Sequence, residues 1–263
     1  MNPVKQQFAA AGWVVVRGLI PPAQLAALEH ALDTLLPAAS YPAWGERVVE
    51  VAGLSHASAE IAALTRDEGI AAVAAELLGA ARIQLLQDTA LIKPAGTAAE
   101  LAWHQDYSYL TYLDRPAVVT ARVALTPCTE EHGCLRVLDG SHTWGGLHGD
   151  DLAFRRGSVD DTLGALPPEL RARAAATERL VELAPGDVSF HSCLTFHGSQ
   201  PNRGTRARKT LAMRLMDGAC RLLPERLPSA ELRALFTADA DGHLVGPAFP
   251  VLWPPAAVAP PAG

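Results

Sequence analysis

After residue 80 the chain changes texture, and that change limits what it can become. Six short runs follow: RIQLLQDTALIK (82–93), AVVTARVAL (117–125), CLRVL (134–138), RLVEL (179–183), DVSFHS (187–192) and KTLAMRLM (209–216). They are apolar or β-branched and are separated by Pro, Gly and Asp, so they read as strands. Before residue 80 the pattern is helical. GWVVVRGL makes one short strand. PPAQLAALEHALDTLL then opens on proline and repeats Leu25, Leu28, Leu32 and Leu35 at helical spacing. SAEIAALTRDEGIAAVAAELLG gives one or two more helices, closed by Gly79 as a C-cap. Helices first and many short strands after them predict a mainly β protein, an antiparallel double-sheet jelly roll with helices packed outside. The segment 143–178 reads as a polar, glycine-containing loop with a short helix near PPELRARAAA, and the proline-rich tail after Leu222 as a surface wrap.

Length and composition fit one domain over 1–263, with a helical part to about residue 80 and a β core over about 81–217. Hydrophobic residues make up 49% of the chain and charged residues 19%, enough to build a sizeable core. The net charge is -6 and there is no basic block, which argues against nucleic acid or an anionic membrane as partner. The 4 cysteines form no CxxC pair and match no zinc spacing. The N-terminus lacks the apolar core of a signal peptide, and no run approaches the roughly 18 apolar residues of a membrane span. These features predict a cytoplasmic protein with reduced thiols.

Chemistry concentrates at AWHQDYSYL, residues 102–110. On a strand, His104 and Asp106 point to one face, here the barrel interior. A buried carboxylate is costly unless it is paired or binds a metal. Two histidines and one carboxylate make the facial triad of non-haem Fe(II) oxygenases, so a second histidine is needed. GDVSFHSCLTFHGSQPN offers His191 and His197. They are an even number of residues apart, and face parity does not choose between them.

Four stretches resemble, in order and spacing, the phytanoyl-CoA dioxygenase family of Fe(II)/2-oxoglutarate oxygenases: WHQD, HGCLRVLDGSH, APGDVSFHSCLTFHGSQPN and RARKTLAMRLM. The likeness runs from about residue 10 to residue 217. It implies a double-stranded β-helix core, Fe(II) on His104, Asp106 and His197, and 2-oxoglutarate and O2 as co-substrates. It also implies that Arg208, eleven residues after His197, anchors the far carboxylate of 2-oxoglutarate. A guanidinium suits that task because it grips a carboxylate bidentately and stays charged. Arg214 lies on the same strand face as the rival. Ser199, Gln87 and Lys93 fall where the family places further co-substrate contacts. Two departures stand out: Asp139 replaces the proline of the PGSH motif, and Arg122 stands where many members carry tryptophan.

Alternation in VVTARVALT puts Val119, Ala121, Val123 and Leu125 on the face towards the helices and Thr120, Arg122, Ala124 and Thr126 inward. A buried arginine needs an anion: for Arg122, a protein carboxylate in a structural ion pair at the barrel wall, or, in the active-site role favoured here, 2-oxoglutarate or a carboxylate of the substrate. Tyr107, Tyr109 and Trp144 are candidate pocket walls. The expected reaction is hydroxylation of an unactivated C–H bond with release of succinate and CO2. The same centre serves desaturation, cyclisation or epimerisation, whereas halogenation is disfavoured because Asp106 is present. The competing classes are a non-catalytic jelly-roll binding module and a cupin-like isomerase or hydrolase that makes no use of 2-oxoglutarate.

Overall fold

The computed structural model describes residues 2–44, 47–146, 163–164 and 166–255. Four helices precede the core: α1 (Pro3–Ala11), α2 (Pro22–Leu35), α3 (Ala59–Thr65) and α4 (Glu68–Leu78). Two short strands, β1 (Trp13–Val16) and β2 (Val49–Ala52), lie among them. Helix α4 forms for local reasons. Asp67 caps its first turn by accepting from the Ile70 amide at 2.9 Å, and Gly79 ends it in the left-handed region at φ 65.

The core strands are β3 (Ile83–Lys93), β4 (Leu101–His104), β5 (Val118–Ala124), β6 (Leu135–Leu138), β7 (Glu178–Val181), β8 (Val188–Ser192), β9 (His197–Ser199) and β10 (Arg208–Asp217). Helix α5 (Pro168–Thr177) leads into β7. A 7-stranded antiparallel sheet runs β1-β8-β5-β10-β3-β13, with β2 also on β3 and β13 spanning Val251–Trp253. A second, 4-stranded sheet runs β4-β9-β6-β7. Together they make the jelly roll.

The large sheet has two unlike faces. Outward, Val119, Ala121, Val123, Leu211 and Met213 pack with Ile70, Ala71 and Ala74 of α4 in one buried cluster. Each fully buried Val, Leu, Ile or Met there stabilises by about 1.5–3 kcal/mol. Inward, the same strands present Thr120, Arg122 and Thr210, which are also buried but polar. The barrel is thus walled by polar groups that only each other, or a ligand, can satisfy.

Three expectations need correction. The strand carrying His104 stops at that residue, and Asp106 opens a 3-10 turn, Asp106–Tyr109, rather than continuing β4. The tail does more than wrap the surface. It forms α6 (Ala230–Leu235) and the hairpin β11–β12 (Thr237–Ala238 and Leu244–Val245), and it adds β13 to the large sheet with Leu244, Phe249 and Leu252 buried. Residues 3–11, without a marked helical pattern in sequence, form α1. Much of the expected polar loop over 143–178 lies outside the described residues.

The β5–β6 connection depends on one glycine. Gly133 sits at φ +64, and a Cβ there would overlap the Gln200 carbonyl oxygen and lie 2.7 Å from that of Pro201. Gly79 has the same backbone sign, φ +65, but open space around it. Gly79→Ala is expected to cost only the left-handed penalty, about 1–2 kcal/mol. Gly133→Ala should cost clearly more in equilibrium denaturation, and equal losses would contradict the packing described.

Candidate metal centre and anion cradle

Strands β4 and β9 pair so that His104 and His197 are cross-strand partners, with ring centroids 4.1 Å apart. Gly198 allows this closeness, because a Cβ there would lie 2.8 Å from the Leu101 carbonyl oxygen. Each imidazole Nδ1 meets a carbonyl two residues back: Ala102 O at 2.8 Å for His104 and Thr195 O at 2.9 Å for His197. A carbonyl only accepts, so Nδ1 carries the proton and each Nε2 offers a lone pair. The 3-10 turn then brings the Asp106 carboxylate round, its Oδ1 standing 3.7 Å from both Nε2 atoms. The three ligand atoms lie within 4.8 Å of one another. Two imidazoles and one carboxylate on one side leave the opposite positions open, the donor set suited to Fe(II).

Asp106 is held ionised and in place. Burial alone raises its pKa, but the Arg214 guanidinium, with the histidines around it, holds the carboxyl well below the usual carboxylate range. Its Oδ2 accepts from Thr120 Oγ1 at 2.7 Å, and its Oδ1 accepts from the Tyr109 hydroxyl. Arg214 Nη2 reaches Tyr109 Oη at 3.0 Å and Asp106 Oδ1 at 3.5 Å, while its Nη1 donates to Gln87 Oε1 at 2.6 Å. Burial, and then the neighbouring His104 and His191, push the His197 pKa well down and keep that ring neutral.

A second group lies deeper. Lys93 on β3 and Arg208 on β10 are register partners, and Arg122 reaches in from β5. All three are buried, at 0%, 1% and 5% exposure for Lys93, Arg208 and Arg122. Their hydrogen bonds go to neutral oxygens. Lys93 Nζ donates to Ser199 O at 3.2 Å and to Gln200 O, Arg208 Nη1 to Gly133 O, and Arg122 Nε to Thr210 Oγ1 at 3.2 Å. Among the described residues no carboxylate lies within ion-pair distance of any of them. Burial, with Arg208 next to it, pushes Lys93 down to about 6. Burial and Arg122 push Arg208 down to about 9. Around them Arg208 Nε, Ser199 Oγ and Thr89 Oγ1 have no hydrogen-bond partner. A cavity of about 740 Å³ joins the triad to Thr89, Arg122, Ser199 and Arg208. Clustered buried cations and orphaned donors fit a bound dianion such as 2-oxoglutarate.

A family model for phytanoyl-CoA dioxygenase matches residues 8–210. The chain belongs to that family. Fe(II) and 2-oxoglutarate suit the His-Asp-His cluster and the anion cradle just described. A probable phytanoyl-CoA dioxygenase of Caenorhabditis elegans is 28% identical over 160 residues, covering 58% of this chain and 50% of the relative. The chain thus spans about half the length of that curated relative. The non-haem α-ketoglutarate-dependent carbocyclase SnoK from nogalamycin biosynthesis superposes with a TM-score of 0.76 at 21% identity, covering 96% of each chain. The epimerase SnoN, crystallised with Fe3+, α-ketoglutarate and nogalamycin RO, gives 0.72 at 22% identity, covering 95% of this chain and 97% of its own. EctD from S. alaskensis, with 2-oxoglutarate and 5-hydroxyectoine, gives 0.67 at 22% identity, covering 84% of this chain and 78% of its own. At these identities the likeness is one of fold.

Within this dioxygenase fold, the residues singled out from sequence are placed as follows. His104, Asp106 and His197 converge, and Arg208, Ser199 and Arg122 line the same cavity. Lys93 is packed behind them. His191 also faces inward, its Nε2 3.6 Å from Asp106 Oδ2, but it is not part of the three-atom cluster. Gln87 does not line this cavity, because its side-chain oxygen is taken by Arg214. Tyr109 lines the cavity, whereas Tyr107 and Trp144 do not. Tyr107 donates to Leu113 O at 3.2 Å, and Trp144 packs against Phe196 beneath the Arg173 guanidinium. Missed from sequence were Thr120 and Thr89 as site residues and Tyr109 as a brace on Asp106. Thr120 was findable by parity with Arg122. Tyr109 required knowing that a 3-10 turn eclipses residues three apart.

His104→Ala, Asp106→Ala and His197→Ala are expected to lose the equivalent of Fe(II) or Mn(II) that the parent chain binds in equilibrium dialysis, while His191→Ala keeps it. Retention by His197→Ala with loss in His191→Ala would reverse the ligand choice.

The depressed Lys93 sets a pH dependence. A bound anion raises its pKa above the ligand-free value of about 6. Were 2-oxoglutarate to sit in this cradle, any contribution of Lys93 to its affinity would be complete below about pH 6 and lost as pH rises through the pKa of the complex. Calorimetric titration at pH 7 in buffers of different ionisation enthalpy should show proton uptake on 2-oxoglutarate binding, reduced in Lys93→Met. Binding without proton uptake would contradict the assignment.

Proposed function

We propose that this chain hydroxylates an unactivated C–H bond of a small organic molecule, using Fe(II), 2-oxoglutarate and O2. The observation that carries the reading is one cavity holding both a buried His-Asp-His cluster and three buried cations that lack a carboxylate partner among the described residues. Iron with its co-substrates supplies the oxidation: 2-oxoglutarate and O2 give succinate, CO2 and one oxygen atom for the substrate C–H. The chain supplies position and environment. His104, Asp106 and His197 would hold the metal. Arg208, backed by Lys93 and Arg122, receives the carboxylate remote from the metal. Thr120, Tyr109 and Arg214 fix the Asp106 carboxylate so that it stays an anion and does not swing. Burial keeps bulk water from the reacting centre.

Family membership supports the co-substrates, and the paired state of Arg214 supports Arg208 over Arg214 as the anchor. The named activities of the similar structures include carbocyclisation and epimerisation, so the same cavity also suits an oxidation that leaves no oxygen in the product. No helix among the described residues is long and apolar enough to cross a membrane, and the cavity has the size of a small-molecule site.

Succinate release from 2-oxoglutarate with Fe(II) and O2 tests the proposal, and mass analysis of the product separates the outcomes. Hydroxylation adds one oxygen atom, whereas ring closure or epimerisation adds none. Arg208→Ala should raise the KM for 2-oxoglutarate roughly 30-fold or more, the equivalent of about 2 kcal/mol lost with a buried charge contact, and keep metal binding. Arg122→Leu should keep fold and metal while turnover falls sharply. An unchanged KM in Arg208→Ala would move the anchor elsewhere, and full specific activity in Arg122→Leu would make that arginine structural.

A further inference from the structure

A second cavity of about 850 Å³ abuts the metal cavity, and Tyr109 and Ala52 line both. It opens where the large sheet is incomplete. On the free side of β3, β2 pairs Thr89–Ile92 and β13 pairs Ile83 and Gln84; Leu85 N still donates to Pro250 O at 3.0 Å and Asp88 O accepts from Gly53 N at 3.0 Å, which leaves Leu86 and Gln87 uncovered. The ladder to β10 also slips there, between Arg214 and Leu215. The walls are mostly apolar: Leu86, Leu110, Leu232, Phe236 and Phe249. Leu235 stands at the mouth 57% exposed. The charges around it are unbalanced. Arg66 and Arg226 line the cavity and form no ion pair among the described residues, and the Asp88 carboxylate is engaged by the Ser55 amide at 3.1 Å and hydroxyl at 2.7 Å. The partition between the two cavities is a hydrogen-bonded chain. Gln87 faces the apolar side and accepts from Arg214, which faces the metal side and reaches the Tyr109 hydroxyl. The Arg214 guanidinium also lies over the Tyr109 ring, 5.1 Å from its centroid.

We infer that this second cavity holds the body of the substrate, a largely apolar small molecule with an anionic group at its outer end. Its reactive end lies at Tyr109 and Ala52, the residues that line both cavities. The volume matches a small-molecule site, apolar walls supply non-directional affinity, and Arg66 and Arg226 at the rim select the charged end. A substrate held this way is oriented by its two ends, with the apolar body filling the gap in the sheet. The inference rests on the oxygenase reading only for which end reacts.

The test uses a probe of the stated chemistry, 1-anilinonaphthalene-8-sulfonate, titrated by fluorescence into the full chain with and without Mn(II) and 2-oxoglutarate. One site is expected. Ala248→Trp, which fills the cavity, and Arg226→Glu, which reverses a rim charge on an exposed side chain, should each raise the Kd at least tenfold, while thermal unfolding shows both folded. Mn(II) at the triad should broaden the proton resonances of the bound dye, and His104→Ala should remove that broadening. The inference is overturned if the dye fails to bind, if both variants bind it like the parent, or if Mn(II) leaves its resonances sharp. The two readings fail separately. Dye binding lost in both variants with no succinate from the parent would sink the oxygenase reading and keep an apolar-anion site. Succinate release with dye binding unchanged in the variants would sink the cavity.

Discussion

Lys93, Arg122 and Arg208 point into one barrel without a carboxylate within ion-pair distance among the described residues. Burying a charge costs several kcal/mol even after relaxation, and like charges across a strand pair add to the cost. The fold tolerates this because the outer face of the same sheet is packed against α4 with Val119, Ala121 and Val123 fully buried. One face of β5 and β10 stabilises the sheet, and the other carries a positive potential that only an incoming anion relieves. The depressed pKa values of Lys93 and Arg208 are the electrostatic record of that arrangement.

Strand β10 carries two inward arginines with opposite circumstances. Arg214 is engaged: Gln87, Tyr109 and Asp106 surround its guanidinium. Arg208 meets a single carbonyl, and the Nε of each arginine lacks a partner, so the two differ at their Nη atoms. Pairing therefore separates a positioning arginine, which keeps Asp106 ionised, from one left available to a ligand. The metal cluster shows the same economy. The β4–β9 register sets the two imidazoles side by side, their rings tilted by 53°, carbonyls fix their tautomers, and a 3-10 turn delivers the carboxylate from outside the sheet.

Helices α2 to α5 and the inward and outward faces of β5 were legible in the sequence, and the three residues that converge in the metal cluster were singled out through motif spacing rather than through geometry. Face parity was right for Arg122 because β5 is a regular strand. It was a poor guide for Asp106 because β4 ends at His104, and the two side chains converge by a turn that alternation does not describe. The resemblance placed Gln87 among the co-substrate contacts, but its side chain bonds Arg214 and lines the other cavity. Tyr107 follows Asp106 in sequence, yet it and Trp144 pack their rings against neighbouring clusters, since aromatic side chains pack wherever apolar volume is free. The docking of β13 on β3 joins residues far apart in the chain, and no local pattern in a proline-rich tail announces it.

The central claim is that the buried cations await the distal carboxylate of a keto acid. A ligand that binds only the folded state raises its stability by RT ln(1 + [L]/Kd), about 2.7 kcal/mol at a hundredfold excess over Kd. Thermal unfolding of the Mn(II)-loaded chain with 2-oxoglutarate and with pyruvate, a keto acid lacking the second carboxylate, isolates that group. The account predicts a large rise in Tm with 2-oxoglutarate, a small one with pyruvate, and loss of the difference in Arg208→Ala. Equal shifts by the two keto acids in the parent chain would contradict it.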